Sequence, residues 1–356
     1  MVDLLADDVA CRCREFDGES LRRELDDKGY VVVPDVVPAD ECDKYIAQYK
    51  QWLDRFGTDQ RPGWARSLIH HYRITHYEPS WKTRMWAKPV YAAVWNTDKL
   101  LSSYDGVAIG EPPELGRTKF RDENTNWYHL DQGSWRDGLH AYQGTVYLEE
   151  VTRDDLCFRV MERSHQYHTQ FYKEFSEAAE GAAASDFYRL NAQYLDWFAS
   201  HGCTEKLVPV PKGGMVLWDS RTIHDNVNPF KGRPNPDRWR FVVLVSMTPA
   251  IWATEEDLNL KRKAYNELLT TAHWSSQGVW LFPSTSEALS CKGTPHIEAV
   301  EELPDIAKTK TAKLLAGIEQ YDFDDGKSNG PGWTPKWNVD KHIISFRDLS
   351  GDLKEN

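Results

Sequence analysis

The chain has 356 residues, 40% of them hydrophobic and 28% charged, and a formal net charge of −12. This net negative charge argues against broad binding to nucleic acids or anionic membranes, because both require clustered lysine and arginine. No apolar run is long enough to span a bilayer, and the acidic N-terminus lacks the order of a signal peptide. We therefore expect a cytoplasmic protein with reduced cysteines and see no sign of an obligate protein partner.

The elements predicted before residue 60 are a helix over 19–28, a β-branched strand over 29–37 and a helix over 38–56. From about residue 119 to 250, short strands are separated by turns. These strands are predicted at 144–151, 156–161, 207–210, 214–218 and 240–247. A helix is predicted over 171–200, and two further helices at 255–269 and 308–318, followed by a Gly/Pro-rich loop over 326–335.

Short strands with Gly, Pro, Asn and Asp turns favour a mainly β jelly roll with helical additions at both ends. We find no internal repeat and no linker long enough to divide the chain. The simplest organisation is therefore one domain over 1–356, with a β core at about 119–250.

Three short motifs pair a histidine with an acidic residue two positions later. In a strand this spacing places both side chains on one face, roughly 6.5 Å apart along the backbone. A second, distant histidine would complete the two-histidine, one-carboxylate set that holds non-haem iron. The motifs are His76-Tyr77-Glu78, His129-Leu130-Asp131 and His296-Ile297-Glu298.

The sequence context favours the second motif. His224 lies several predicted strands after His129, and Arg238 and Arg240 then open the strand-like segment RFVVLVSM. A cation at that place could bind the carboxylate of a co-substrate. From the spacing alone, two interpretations are about equally supported: that His129, Asp131 and His224 form a metal site, or that they are three unrelated polar residues. Short motifs of this kind often match by chance.

Several segments, in the same order along the chain, resemble the phytanoyl-CoA dioxygenase family. They are YHLDQ (128–132), LCFRVMERSH (156–165), GGMVLWDSRTIHDNVNP (213–229) and RWRFVVLVSMTP (238–249). The resemblance spans about 15–290. It implies a double-stranded β-helix (the cupin-like jelly roll), a bound iron(II), and 2-oxoglutarate and O₂ as co-substrates.

The resemblance also implies roles for particular residues. His129 and Asp131 match the first two metal ligands, and His224 matches the third. Arg240, in an Arg-x-Val pattern, matches the arginine that binds the far carboxylate of 2-oxoglutarate, with Arg238 as the alternative on the same strand face. Asn226 stands where the family often has a serine or threonine that assists this carboxylate.

Arg221, Arg121 and Trp127 are our candidates for contact with the organic substrate. Arg121 could equally lie in an ordinary solvated loop, and buried core is the default for a tryptophan near strands. Arg221, three residues before His224, has the better claim because strand ends around the iron would face the mouth of the pocket.

Together these features predict a dioxygenase that oxidises a C–H bond of a small molecule by hydroxylation, desaturation or oxidative cyclisation. An amino acid or a specialised metabolite fits better than an acyl-CoA, because no compact basic patch is visible for the CoA phosphates. The same residues are also compatible with an acyl-CoA hydroxylase, with a zinc-loaded or cupin-like enzyme that is not an oxygenase, and with a catalytically silent binding protein.

Overall fold

A computed structural model describes residues 14–62, 67–121, 126–183, 186–282 and 297–338. The strands are β1 (Tyr30–Val33), β2 (Leu68–Ile69), β3 (Leu100–Ser102), β4 (Val107–Gly110), β5 (His129–Leu130), β6 (Arg136–Asp137), β7 (Tyr142–Tyr147), β8 (Cys157–Glu162), β9 (Tyr188–Arg189), β10 (Thr204–Val208), β11 (Met215–Asp219), β12 (His224–Val227), β13 (Arg240–Leu244), β14 (Met247–Pro249) and β15 (Lys336–Trp337). The α-helices are α1 (Gly18–Lys28), α2 (Ala39–Leu53), α3 (Glu78–Trp95), α4 (His168–Glu174), α5 (Ser176–Ala183), α6 (Ala192–Ser200), α7 (Glu255–Glu267) and α8 (Lys310–Leu315). Among these helices, none combines the length and hydropathy that a membrane span requires.

Two antiparallel sheets form the centre of the fold. One has six strands in the order β1-β11-β7-β13-β4-β2, and the other has five in the order β10-β8-β12-β5-β9. Neighbouring strands are mostly distant in sequence, as in a double-stranded β-helix, and the predicted mainly β jelly roll is confirmed. The six-stranded sheet also takes β1, β2 and β4 from before residue 119. The assignment of 1–356 to one domain stays a prediction.

Three apolar layers hold the sheets in place. The layer between them contains Tyr147, Trp218 and Val242 from the six-stranded sheet and Phe158 and Val160 from the five-stranded sheet. A larger core joins the outer face of the six-stranded sheet to helices α2 and α3, and a third joins the outer face of the five-stranded sheet to helices α4 to α6. Alternate residues of each central strand therefore face the space between the sheets.

The predicted single helix over 171–200 is wrong. The segment forms three shorter helices, and strand β9 lies between the second and the third. Asn191 begins the last of them, because its side chain accepts a hydrogen bond from the backbone of Tyr194. Strand β9 pairs with β5, with Arg189 opposite His129. This pairing supplies the backbone partners that β5 needs at the edge of its sheet, which overrides the helical composition of the segment.

Helix α3 was not predicted from the sequence. It is 18 residues long, contains Pro89, and is buried on most of its faces. Because apolar and polar residues do not alternate with a helical period, no amphipathic pattern marks it. Only its position between the six-stranded sheet and the surrounding helices explains its composition.

A buried histidine beside this helix should make the stability of the protein depend on pH. Burial holds the pKa of His76 at about 3, against an ordinary value of 6.5. Between these values the unfolded chain binds a proton that the folded chain does not, so stability falls as the pH drops below 6.5. At pH 5.5 this one group should cost about 1.4 kcal/mol relative to pH 7.5.

Urea unfolding of the wild type and of His76→Gln, each at both pH values, measures this contribution. The wild type should lose about 1.4 kcal/mol more than the variant on acidification. Equal losses in the two proteins would show that His76 is not held neutral in the folded state.

Candidate metal centre and co-substrate pocket

Three residues predicted as metal ligands lie together at one end of the space between the sheets. His129, Asp131 and His224 each offer a ligand atom, and these atoms all lie within 4.8 Å of one another. The carboxylate of Asp131 is 3.5 Å from Nε2 of His129 and 3.3 Å from Nε2 of His224. This donor set is the one that suits non-haem iron(II). It is a group able to hold a metal ion.

The sheet itself brings the two histidines together. Strands β5 and β12 pair antiparallel, with His129 directly opposite His224. In each ring Nδ1 lies at hydrogen-bonding distance from a backbone carbonyl, at 3.2 Å from Trp127 and 2.9 Å from Thr222. A proton held on Nδ1 leaves Nε2 with a free lone pair, which is the form that binds a metal. Both rings are therefore oriented before any metal arrives.

The electrostatics of His129 and Asp131 favour the protonation states that metal binding needs. Burial lowers the pKa of His129, although the neighbouring Asp131 opposes this. Burial would raise the pKa of Asp131, but the two histidines hold it well below its usual range. A neutral imidazole and an ionised carboxylate are the ligand forms of these groups.

A glutamine on the opposite sheet fixes the carboxylate. Nε2 of Gln143 on strand β7 donates to Oδ2 of Asp131 at 2.9 Å. The amide cannot lose its proton and carries no charge, so it restrains the carboxylate without competing for the metal. Sequence analysis missed this residue.

A buried ion pair stiffens the strands that carry the histidines. On the outer face of the five-stranded sheet, Arg159 of β8 binds Asp225 of β12 through two hydrogen bonds of 2.8 and 2.6 Å. Asp225 also accepts from the backbone of Trp127, next to β5. Residues 159 and 225 directly face each other in the ladder. The pair thus ties β8, β12 and the approach to β5 together behind the candidate ligands.

Unpaired polar atoms continue from this centre into the space between the sheets. Five buried atoms there make no hydrogen bond of normal geometry within the described residues: Oε1 of Gln143, Oγ1 of Thr145, Oη of Tyr147, Nε1 of Trp218 and Nε of Arg240. Buried polar atoms usually have partners, and an unpaired one costs roughly 1–3 kcal/mol. Their concentration between the sheets fits a polar ligand better than a closed apolar core.

Arg240 lies at the far end of this row. The guanidinium of Arg240 donates from Nη2 to Oδ1 of Asn226 at 3.0 Å, and Arg240 is only 6% exposed. No carboxylate of the described chain lies within ion-pair distance of it. A buried guanidinium with no anionic partner is costly unless an anion binds there.

Arg238, the alternative, is occupied elsewhere. Strand β13 begins at Arg240, so Arg238 precedes the ladder. Its guanidinium contacts Glu150 at 2.8 Å and Asp155 at 3.1 Å. Because two carboxylates already neutralise Arg238, it is not free to bind another anion, whereas Arg240 has no carboxylate partner among the described residues.

The three residues suggested for substrate contact lie in different settings. Trp127 stacks on the ring of His129 with 4.8 Å between ring centroids. Arg221 forms an ion pair with Asp219 at 2.6 Å, and the guanidinium of Arg121 lies 4.4 Å from the centre of the Phe230 ring. Of the three, only Trp127 directly contacts a candidate metal ligand.

The two competing motifs form no second metal site in the described chain. His76 is buried, and its Nε2 lies 2.9 Å from the carbonyl oxygen of Leu269. Tyr77 and Glu78 begin a helix instead of continuing a strand. His296 lies outside the described residues. His165 and His168 each bond a backbone carbonyl, as scaffold residues do.

The missed residues had one weak signal in the sequence. Gln143, Thr145 and Tyr147 are polar residues at alternate positions of a strand, and they face inward where an apolar series would be expected. A polar row on the buried face of a strand indicates a ligand site. The sequence did not show which face of β7 is the inner one.

Comparisons with known proteins agree with this geometry. The family model described as phytanoyl-CoA dioxygenase matches residues 25–226, more than half of the chain. Ava biosynthesis cluster protein O of Aspergillus versicolor is 26% identical over 270 residues, which cover 71% of this chain and 84% of that protein.

Two solved structures align with parts of this chain. GlcNAc Inducible Gene 2 from Candida albicans aligns with a TM-score of 0.58 and 12% identity, over 92% of this chain and 87% of that one. The non-heme alpha ketoglutarate dependent carbocyclase SnoK from nogalamycin biosynthesis aligns with a TM-score of 0.43 and 16% identity, over 67% of this chain and 88% of that one.

Proposed function

This chain belongs to the phytanoyl-CoA dioxygenase family of iron(II)- and 2-oxoglutarate-dependent dioxygenases, and on that premise we propose that it oxidises a C–H bond of a small organic molecule. The outcome would be hydroxylation, desaturation or oxidative cyclisation. The observation that carries the proposal is the continuous arrangement from the His129, Asp131 and His224 cluster, along the row of unpaired polar atoms, to the guanidinium of Arg240, which has no carboxylate partner among the described residues.

Each end of this arrangement has a separate role in the proposal. His129, Asp131 and His224 would hold the iron, leaving its remaining positions open to co-substrate and oxygen. Arg240 would bind the far carboxylate of 2-oxoglutarate, with Asn226 orienting the guanidinium through the bond between them. When bound, the metal and its co-substrate supply O₂ activation coupled to oxidative decarboxylation.

The hydroxyls between these ends suit the body of the co-substrate. Thr145 and Tyr147 lie on the same face of strand β7 as Gln143, at two-residue intervals. Burial raises the pKa of the Tyr147 phenol, so it stays protonated and can donate. Here it would assist Arg240, in place of the family hydroxyl for which this chain has Asn226. The surrounding apolar layer would exclude water from the pocket.

The organic substrate proposed here is a specialised metabolite, not an acyl-CoA. A relative named for a biosynthesis cluster supports this choice. Arg221, which approaches the metal end of the sheets, is already paired with Asp219, so it offers no free charge to CoA phosphates. A zinc enzyme without 2-oxoglutarate is disfavoured because Arg240 would then keep no anionic partner.

The direct test is to add iron(II) and then 2-oxoglutarate to the purified protein under anaerobic conditions. The metal-to-ligand charge-transfer absorption should rise only when both are present. Admission of O₂ with a pooled metabolite extract should then release succinate. A protein that binds zinc tightly but develops no such absorption would contradict the proposal.

Gln143→Leu should weaken metal binding by about tenfold, because hydrogen-bond partners of metal ligands typically contribute 10–100-fold to affinity. Without the amide, Oδ2 of Asp131 loses the hydrogen bond that it accepts from the opposite sheet. Titration with Co²⁺ measures the change directly.

Thr145→Val is the matched control for this variant. It alters the next inward residue of the same strand and should leave the Co²⁺ dissociation constant unchanged within twofold. If both variants bind Co²⁺ as the wild type does, Gln143 does not position Asp131 in solution.

A further inference from the structure

Residues 270–282 form a segment that follows the last strands of the two sheets. It runs along the end of the sheets at which the candidate metal centre lies. Thr271 and Tyr104 are joined by two hydrogen bonds, from the backbone nitrogen of Thr271 to the carbonyl of Tyr104 and from the nitrogen of Tyr104 to Oγ1 of Thr271. Farther along, Ser275 donates to the carbonyl of Ser246 at 2.7 Å. The segment is thus fixed at several points to the ends of the sheet strands.

These attachments place the segment next to the candidate metal centre. Gln277 donates to the carbonyl of His140. Ser246, which accepts the bond from Ser275, donates in turn from its hydroxyl to the carbonyl of Tyr142. Both acceptors closely precede Gln143, whose amide binds Asp131. The segment also lies beyond residue 226, where the family match ends.

His273 is the residue of this segment that lies within electrostatic reach of the candidate ligand Asp131. Its Nε2 is buried and has no hydrogen-bond partner among the described residues, and its ring packs on Trp274 with 4.2 Å between centroids. Burial lowers its pKa, while the nearby carboxylate of Asp131, followed by those of Asp105 and Asp186, opposes the shift. The ring is therefore neutral and within electrostatic reach of Asp131, and the hydrogen bonds of Thr271 and Ser275 fix the segment on both sides of it.

Several buried histidines outside the candidate metal centre use Nε2 structurally. In His76, His140 and His168 this atom lies 2.7–2.9 Å from a backbone carbonyl oxygen. His273 differs because its Nε2 finds no such partner among the residues that the structure describes. A buried polar atom without a partner is uncommon and is explained when a ligand completes its bonding.

We propose that His273 binds the organic substrate by a hydrogen bond from or to Nε2, and so sets which C–H bond faces the metal. This inference rests on the proposed function, because it presumes that the substrate approaches the His129, Asp131 and His224 cluster. It assigns His273 a role in specificity and regioselectivity, separate from metal and co-substrate binding.

The surroundings indicate the class of substrate. Arg136 is a cation that lowers the pKa of His273, and it is bound to Asp186 at 3.1 Å. Asp105, which raises that pKa, lies 3.5 Å from His70. Arg136 is therefore not free to attract an anionic group such as the CoA phosphates. Phe187 is 44% exposed and packs on His129, with 4.9 Å between ring centroids. The site therefore fits an uncharged molecule with an apolar body and one hydroxyl, carbonyl or amide group for His273.

The position of His273 can be tested without a substrate. In protein labelled with ¹⁵N-histidine, the ring signals missing from His273→Phe identify this residue. Replacing Zn²⁺ by paramagnetic Co²⁺ in the wild type should strongly shift or broaden those signals. The signals of His201, in the helical layer outside the five-stranded sheet, should change far less. Unaltered His273 signals in a cobalt-loaded protein would overturn the assignment.

The role in specificity is tested with two panels, one of uncharged aromatic alcohols, ketones and amides and one of acyl-CoA thioesters. We expect the uncharged panel to stimulate succinate release. His273→Phe should then lower the product formed per succinate by about tenfold, as loss of one substrate hydrogen bond implies. His273→Gln should recover part of this coupling, while both variants keep the wild-type affinity for 2-oxoglutarate.

Each remaining outcome has one meaning. Unchanged coupling in His273→Phe would overturn the role of His273 and leave the proposed function intact. Stimulation by the acyl-CoA panel alone, or by neither panel, would overturn the substrate class. Failure of the wild type to bind 2-oxoglutarate with iron would instead overturn the proposed function.

Discussion

Alanine at any one of His129, Asp131 or His224 should abolish 2-oxoglutarate-dependent succinate release while the protein stays folded. Each substitution removes one of three donor atoms that lie within 4.8 Å of one another. Losing even a hydrogen-bond partner of a metal ligand costs 10–100-fold in affinity, so losing the ligand itself should cost about 100-fold or more. The side chains lie at one end of the inter-sheet space and contribute little to its apolar packing.

Co²⁺ titration and succinate release measure the two effects, and far-ultraviolet circular dichroism checks the fold. His201→Ala is the control, because it removes a histidine that bonds the carbonyl of Trp197 away from the centre. It should leave both properties unchanged. A folded variant of Asp131 or either histidine that kept most of its turnover with iron supplied would disprove the ligand assignment.

Arg240→Gln should raise the dissociation constant for 2-oxoglutarate by about thirtyfold or more. The guanidinium is buried, faces the pocket, and has no carboxylate partner in the described chain. Removing one partner of a buried charged pair typically costs ~2–5 kcal/mol, and every ~1.4 kcal/mol corresponds to tenfold in affinity. The neutral amide of glutamine cannot supply the charge. Anaerobic titration of the iron-loaded protein, followed by its charge-transfer absorption, gives the constant.

Arg238→Gln is the matched control, two residues earlier in the same segment. Its guanidinium is bound to Glu150 and Asp155, and Asp155 keeps a second partner in Arg233 at 2.7 Å. The dissociation constant for 2-oxoglutarate should therefore change by only a few fold. Loss of binding in the Arg238 variant, with normal binding in the Arg240 variant, would reverse the assignment.

Local patterns along the chain were enough to predict the family, the jelly-roll class and the candidate ligands. Turn residues between short strands predict the β core, and the two-residue spacing of His129 and Asp131 places them on one strand face. The match of ordered segments, which includes Arg240, then connected this pair with His224. The same local reasoning predicted helices α1 and α2 to within a few residues.

Features that depend on contacts between separate segments became known only from the three-dimensional arrangement. Helix α3 is buried on most faces and so has no amphipathic period, and β9 interrupts a helical composition because β5 needs a partner. The choice between Arg240 and Arg238 depends on which guanidinium already has carboxylates, a fact of spatial contact. Gln143 lies twelve residues after Asp131 but binds it from the opposite sheet, and His273 comes within electrostatic reach of it from a segment much farther along the chain, so no motif in the sequence relates them. Local patterns specify the strands and ligands, but the surroundings of a site arise from contacts between segments that are far apart in sequence.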